Sequence, residues 1–305
     1  MKSDPCRFRA TADQADRRLD RVLRGLFKDV PLSAVMKAIR NGSVRVNGRR
    51  AAGDVRLSEG DEVSTRWGRE EEAKVSQKTA IRPNSELSTL FTNEFLWCVD
   101  KPAGLLSQPD RADGDSVITR AWGILGWERN DFRPALIGRL DRNVSGVEAI
   151  ALTYPALRAL SDHMQAGEIT KKYRAVVRGR PPDAGEIAIS LVKDGKVNRV
   201  RPARPGENGL DALTRFWRLD GNGRYSLLEI ELVTGRPHQA RAHLSLSGYP
   251  IAGDRKYGLG RGAEDASRPL LHAYSLTFPA DEVLRGIEGL EVISPMPEYF
   301  LSFLV

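Results

Sequence analysis

The segment 138–153 reads GRLDRNVSGVEAIALT, and its chemistry centres on one carboxylate, Asp141, among Arg139, Arg142, Asn143, Ser145 and Gly146. A carboxylate between two guanidiniums can serve as a nucleophile or a base. The same neighbours could also close a turn as a structural ion pair, and most such pairs contribute little. A second cluster weighs toward chemistry. In 234–253, TGRPHQARAHLSLSGYPIAG, Pro237 suits a first helical turn and Gly248 a helix stop, so a helix over 236–246 is expected. On that helix Arg241 and Leu244 stand three apart and share a face with His238, which sets a cation beside an apolar wall. Such a surface suits a buried carboxylate facing a flat base, although an ordinary helix packed on a sheet carries the same stripe.

Other chemistries lack their residues. The chain has no Gly-Lys-Ser/Thr phosphate loop and no dinucleotide glycine pattern after a strand, which argues against nucleoside triphosphates and nicotinamide. His238 and His243 are five apart and leave a common helical face, which weakens a zinc site. The four histidines are too scattered for a nucleophilic triad. No cofactor and no metal is implied.

Over the whole chain, 305 residues predict about two domains, and 41% hydrophobic with 29% charged residues is a globular composition. No run approaches the ~20 apolar residues of a membrane helix, the start lacks the apolar stretch of a secretory signal, and Cys6 and Cys98 make no disulfide framework. These features predict a cytoplasmic chain with no membrane partner. Charge is unevenly spread. Residues 1–66 hold 15 basic and 9 acidic side chains, +6 of the net +7, so the remainder is nearly neutral. A small basic piece tethered to a large balanced one suggests a polyanion-binding module, with a merely solvated face as the bland alternative.

Within that piece, 17–28 places Leu19, Val22, Leu23 and Leu26 at helical spacing with arginines outward. A second helix begins near Pro31, with Ser33 a candidate cap inside its first turn, and stops at Asn41-Gly42; a short strand 43–46, a turn at Asn47-Gly48 and a strand ending at Val63 follow. Residues 67–85 are polar, acidic in part and aperiodic, which predicts a linker. From 86 to 305 strands dominate, near 95–99, 147–152, 172–178, 225–233 and 272–278, with helices near 154–165 and 236–246. Strands in succession with few helical crossovers predict a largely antiparallel α+β domain. The segment 193–204 carries Lys193, Lys196, Arg199, Arg201 and Arg204 against Asp194 and reads as a basic loop or hairpin.

These stretches carry two resemblances. The order of elements over 18–63, and most specifically IRNGSVRVNG at 39–48, resembles the alpha-L RNA-binding module of ribosomal small-subunit protein four. That likeness implies phosphate contacts from Lys37, Arg40, Arg45 and Arg49. The stretches VDKPAG (99–104), GRLDRNVSG (138–146), KKYRA (171–175), 234–244 and GDRKYG (253–258) together resemble the pseudouridine synthases of the large ribosomal RNA and transfer RNA type, over about 86–305. By position the resemblance implies Asp141 as the catalytic aspartate, Arg241 as its partner, Tyr173 as the tyrosine that packs on the target base, Arg139 as the arginine that enters the RNA, and Leu244 as the apolar residue beside the carboxylate. Gly138, Val144, Pro237 and Ala240 depart from the family's usual histidine, threonine, threonine and isoleucine.

The reading that follows is an α+β isomerase, a mixed, largely antiparallel sheet domain behind a small RNA-binding module, acting as a monomer without cofactor on uridines of ribosomal RNA, with transfer RNA as the alternative. A basic loop beside the cleft would grip backbone through Arg199 and Arg201. Two rivals stand beside it: a non-catalytic RNA-binding assembly factor, and a glycosidase that would release free uracil.

Overall fold

The computed structural model describes residues 6–27, 30–65, 86–111, 114–127, 132–194, 199–258 and 266–305. The expected linker 67–85 and the tip of the basic 193–204 segment lie outside the described residues.

The N-terminal part contains β1 (Cys6–Arg9), α1 (Leu19–Leu26), α2 (Leu32–Arg40), β2 (Arg45–Val46), β3 (Arg49–Arg50) and β4 (Glu62–Thr65). The four strands form one sheet in the order β1-β4-β2-β3. The predicted apolar stripe of α1 is what its packing uses: Leu19, Val22 and Leu23 are buried with Val35, Ala38 and Ile39 of α2 and Val44, Leu57 and Val63. Pro31, not Ser33, occupies the position before α2, so Ser33 caps nothing.

The rest of the chain builds a ten-stranded sheet from β5 (Ser88–Thr92), β6 (Leu96–Lys101), β7 (Ala135–Leu136), β8 (Ser145–Ala151), β9 (Thr170–Arg178), β10 (Ala184–Ala188), then, beyond the small hairpin of β11 (Leu191–Asp194) and β12 (Arg199–Pro202), β13 (Leu213–Gly221), β14 (Tyr225–Leu232), β15 (Leu271–Thr277) and β16 (Glu291–Ile293). The main path runs β10-β13-β14-β9-β15-β8-β6-β5, and every pairing in it is antiparallel except β15 with β8. Among the described residues three α-helices accompany it, α3 (Val117–Ile124), α4 (Tyr154–Ala166) and α5 (Gln239–Leu246).

Every residue of β8 is buried because both faces of the sheet are covered there. Val147, Ala149 and Ala151 pack with Ala156 and Leu160 of α4, whereas Ile150 packs with Val117, Ile118 and Ala121 of α3. The parallel junction depends on Gly146. Its φ is +117°, and a Cβ there would sit 2.1 Å from the Ala273 carbonyl oxygen, so only glycine permits the approach. The register then sets Ile230, Tyr173, Ala273, Gly146 and Lys101 in one row across five strands. That row brings Tyr173 and Lys101 to the loop that precedes β8.

Candidate active site

Asp141 sits in that loop, between β7 and β8, and its backbone is tied from two sides. The fully buried Lys101 donates through Nζ to the carbonyls of Pro102 (3.1 Å), Leu105 (2.8 Å) and Arg142 (3.1 Å). Burial pushes Lys101 down to about 8, against the opposing pull of Glu148, Asp141 and Asp100. On the other side of Asp141, Leu140 N–H donates to Glu148 Oε1 at 2.8 Å.

The cation faces the carboxylate from α5. Arg241 Nη1 is 2.6 Å from Asp141 Oδ2, while its Nε and Nη2 form a bidentate pair with the buried Asp254 at 2.7 and 2.9 Å. Asp254 Oδ1 also accepts from the backbone N–H groups of Lys256 and Tyr257. Burial lowers the basicity of Arg241, but Asp254 and Asp141 outweigh it and raise its pKa further. For Asp254 burial works upward, and the Arg241 bonds and charge, with the two backbone donors, bring its pKa below the ordinary value.

His238 lies before α5, not on it. The helix begins at Gln239, and His238 takes a left-handed conformation with φ +54°. The expected shared face of His238, Arg241 and Leu244 over 236–246 is therefore corrected. Its cause is Gln239, whose side chain accepts from Thr234 and Arg236 N–H and donates to Leu213 O and Thr214, folding the turn back over β13. The turn aims His238 Nε2 at Asp141 Oδ1, 3.6 Å away. Tyr257 OH is 2.7 Å from Nδ1 and accepts from Val200 N–H at 2.8 Å, so its proton is assigned to the imidazole and the ring's own proton to Nε2. Burial lowers the His238 pKa, with Asp141 pulling upward and Arg241 and Lys256 downward, which keeps the ring neutral at pH 7.

These groups open on a cavity of about 850 Å³ lined by Asp141, Tyr173, His238 and Arg241, with Leu140, Val144, Leu232, Ala240 and Leu271 as its apolar wall and Arg139, Arg142, Arg236, Arg255 and Lys256 as its cationic border. Burial, then the charges of Asp141 and Glu148, push the Tyr173 phenol well above its ordinary value, so it stays neutral. A flat apolar patch beside a carboxylate, ringed by cations, suits a nucleobase on a phosphate backbone.

The family resemblance named Asp141, Tyr173, Arg241 and Arg139, and the structure places all four among the lining residues of this cavity. Leu244 is different: it is fully buried in the core beneath, with Val144 and Ala240, and does not line the cavity. Arg201 is held by Glu207 in a bidentate pair at 2.5 and 2.6 Å, whereas Arg199 lies 5.9 Å over the Tyr257 ring. Lys37, Arg40, Arg45 and Arg49 are exposed at the end of α2 and on the β2–β3 hairpin, away from the cavity lining. Asp254, Tyr257 and the orientation of His238 were missed, although GDRKYG already held two of them. His243, read beside His238 for zinc, is turned to Thr214 and the Ile189 carbonyl. Among the described residues no helix is long and apolar enough to cross a membrane.

The chain matches the family of RNA pseudouridylate synthases over residues 95–246 and the S4 domain over 17–63. It is 34% identical over 267 residues to an uncharacterized RNA pseudouridine synthase of Chloroflexus aurantiacus, covering 85% of this chain and 81% of the relative. It is 32% identical to the ribosomal large subunit pseudouridine synthase C of Escherichia coli, covering 88% and 86%. Among solved structures, human RNA pseudouridylate synthase domain containing 4 superimposes with a TM-score of 0.58 at 25% identity, over 71% of this chain and 92% of that one. The human domain containing 1 gives 0.59 at 22% identity, over 74% and 89%, a likeness of fold.

Proposed function

Since the chain belongs to the RNA pseudouridylate synthase family, and is therefore an isomerase acting on RNA, we propose that Asp141 carries the isomerisation and that the target is a uridine of large-subunit ribosomal RNA. The observation that supports the site most is the Asp141 carboxylate opposite Arg241 at 2.6 Å in a cavity that Tyr173 also lines. The reaction breaks the bond from ribose C1′ to uracil N1, turns the ring, joins C1′ to C5, and releases the C5 proton as N1 takes one up. Bonds are exchanged within one nucleotide, so no energy coupling is needed. Asp141 either attacks the nucleotide covalently or removes a ribose proton, and both routes start from the same placement of its carboxylate.

The uridine must leave its stack to reach this floor, at a cost of a few kcal/mol offset by new contacts. Tyr173 would pack on the uracil, Arg139 would fill the space it left, and Lys37, Arg40, Arg45 and Arg49 would hold phosphates at a distance from the site. The Arg201–Glu207 pair leaves Arg199, beside Tyr257, as the better phosphate ligand of the β11–β12 hairpin. The target is argued from relatives named as large ribosomal subunit enzymes in several bacteria, which also supports action in the cytoplasm.

The test is Asp141→Asn on an unmodified large-subunit ribosomal RNA transcript, with loss of the C5 hydrogen as tritium release. Turnover should vanish while RNA binding persists. Wild-type turnover by the variant would remove Asp141 from the chemistry, and pseudouridine maps of RNA from a gene deletion would decide the target.

A further inference from the structure

Strand β8 reads Ser145-Gly146-Val147-Glu148-Ala149-Ile150-Ala151, and a glutamate is the least expected residue in so apolar a run. Glu148 is 4% exposed. Its Oε1 accepts from Leu140 N–H at 2.8 Å and from Ser107 Oγ, while its Oε2, also buried, has no hydrogen-bond partner among the described residues. Burial raises its pKa, against Ser107, the Leu140 N–H and Lys101. An apolar residue would fill this position at no such penalty, so packing alone does not account for a half-satisfied buried carboxyl.

What Glu148 holds is the residue immediately before Asp141. Ser107 completes the tie: its Oγ lies 2.9 Å from Leu140 O and 3.0 Å from Leu140 N. Leu140 and Ser107 both line the cavity, whereas Glu148 lies behind them. The residue after Asp141 is already fixed by Lys101 through the Arg142 carbonyl. Asp141 thus stands between two anchors rooted in adjacent strands, and a loop fixed on only one side would let its carboxylate turn away from Arg241.

We propose that Glu148, acting through Leu140 and Ser107, is a positioning residue that sets the Asp141 carboxylate against Arg241 and the target uridine. It touches no substrate. The inference rests on the reading of Asp141 as the catalytic group.

The experiment compares Glu148→Leu, Glu148→Gln and Ser107→Ala of the full chain on the same ribosomal RNA transcript, with kcat, KM and thermal midpoint read for each and Asp141→Asn alongside. Gln keeps an acceptor for Leu140 N–H and Ser107; Leu removes it. Because displacement of about 1 Å can cost on the order of 100-fold, Glu148→Leu should lower kcat roughly 10- to 100-fold with KM changed less than about threefold and the midpoint unchanged or raised. Glu148→Gln should restore kcat to within roughly threefold of wild type. Should Glu148→Leu not fold, Ser107→Ala carries the test, with a fall in kcat of roughly three- to tenfold expected. Wild-type kcat in a folded Glu148→Leu would overturn the proposal, as would a Gln variant as slow as the Leu one or, where Glu148→Leu does not fold, wild-type kcat in Ser107→Ala. An inactive Asp141→Asn beside a fully active Glu148→Leu refutes only the positioning role; an active Asp141→Asn refutes the catalytic reading itself.

Discussion

Arg241 grips Asp254 with two bonds, at 2.7 and 2.9 Å, and this fixes the guanidinium plane so that its remaining nitrogen meets Asp141. The cation is thereby preset before RNA arrives. Asp254→Asn keeps the shape and removes the charge, leaving a largely buried arginine with one carboxylate. Stability should fall by about 3 kcal/mol, measured by denaturant unfolding at pH 7. The folded-state pKa of Asp254 is lowered, so its contribution is present above the ordinary carboxylate range and lost as pH falls through the folded value. The difference between wild type and Asp254→Asn should therefore shrink in acid.

Arg241→Met removes the cation at Asp141 and leaves Asp254 buried without its partner. Turnover at saturating RNA should drop by roughly 100- to 1000-fold, the scale of removing one preorganised charged donor from an active site. A near-normal rate would show that the 2.6 Å pairing is structural.

Tyr257→Phe cuts the bridge from Val200 N–H through the phenol to His238 Nδ1. The imidazole is then free to turn its Nε2 from Asp141. A loss of about 1 kcal/mol in transition-state stabilisation is expected, near fivefold in kcat, with RNA affinity little changed. Single-turnover kinetics separate the two.

The basic edge of the N-terminal module gives a salt signature. Replacing Arg45 and Arg49 by glutamine should weaken RNA binding in every substrate and reduce the slope of log K against log salt by roughly 1 for each phosphate no longer neutralised. Rates at saturating RNA should stay the same. An unchanged slope would move the phosphate path off the β2–β3 hairpin.

Lys101 supplies a pH test of stability. Its pKa falls from 10.5 unfolded to about 8 folded, so between those values the unfolded chain binds more protons and stability rises with pH. The rise attributable to this group is about 3 kcal/mol across that window. Lys101→Met should flatten that part of the profile; Lys171, also lowered by burial, remains in both proteins and cancels in the comparison.

By itself the sequence determined what short-range rules can carry. The apolar spacing of Leu19, Val22 and Leu23, the Asn47-Gly48 turn and the succession of strands after 86 follow from periods of 3.6 and 2 and from turn chemistry, which act within a few residues. Asp141, Arg241, Tyr173 and Arg139 could be named because the motifs that carry the family resemblance are local strings, and all four line the cavity. Tertiary structure decided the partners. Arg241 reaches 13 residues along the chain to Asp254 and 100 back to Asp141, and Glu148 turns to Leu140 and Ser107 only because β8 pairs with β6 and β15 in one register. His238 left the helix because the Gln239 side chain found two acceptors on β13 and two donors in the turn before it, and Leu244 went to the core because that face of α5 meets the sheet. Side-chain periodicity says which face is buried, but not against what; that choice belongs to sheet register, fixed by pairings between residues far apart in the chain.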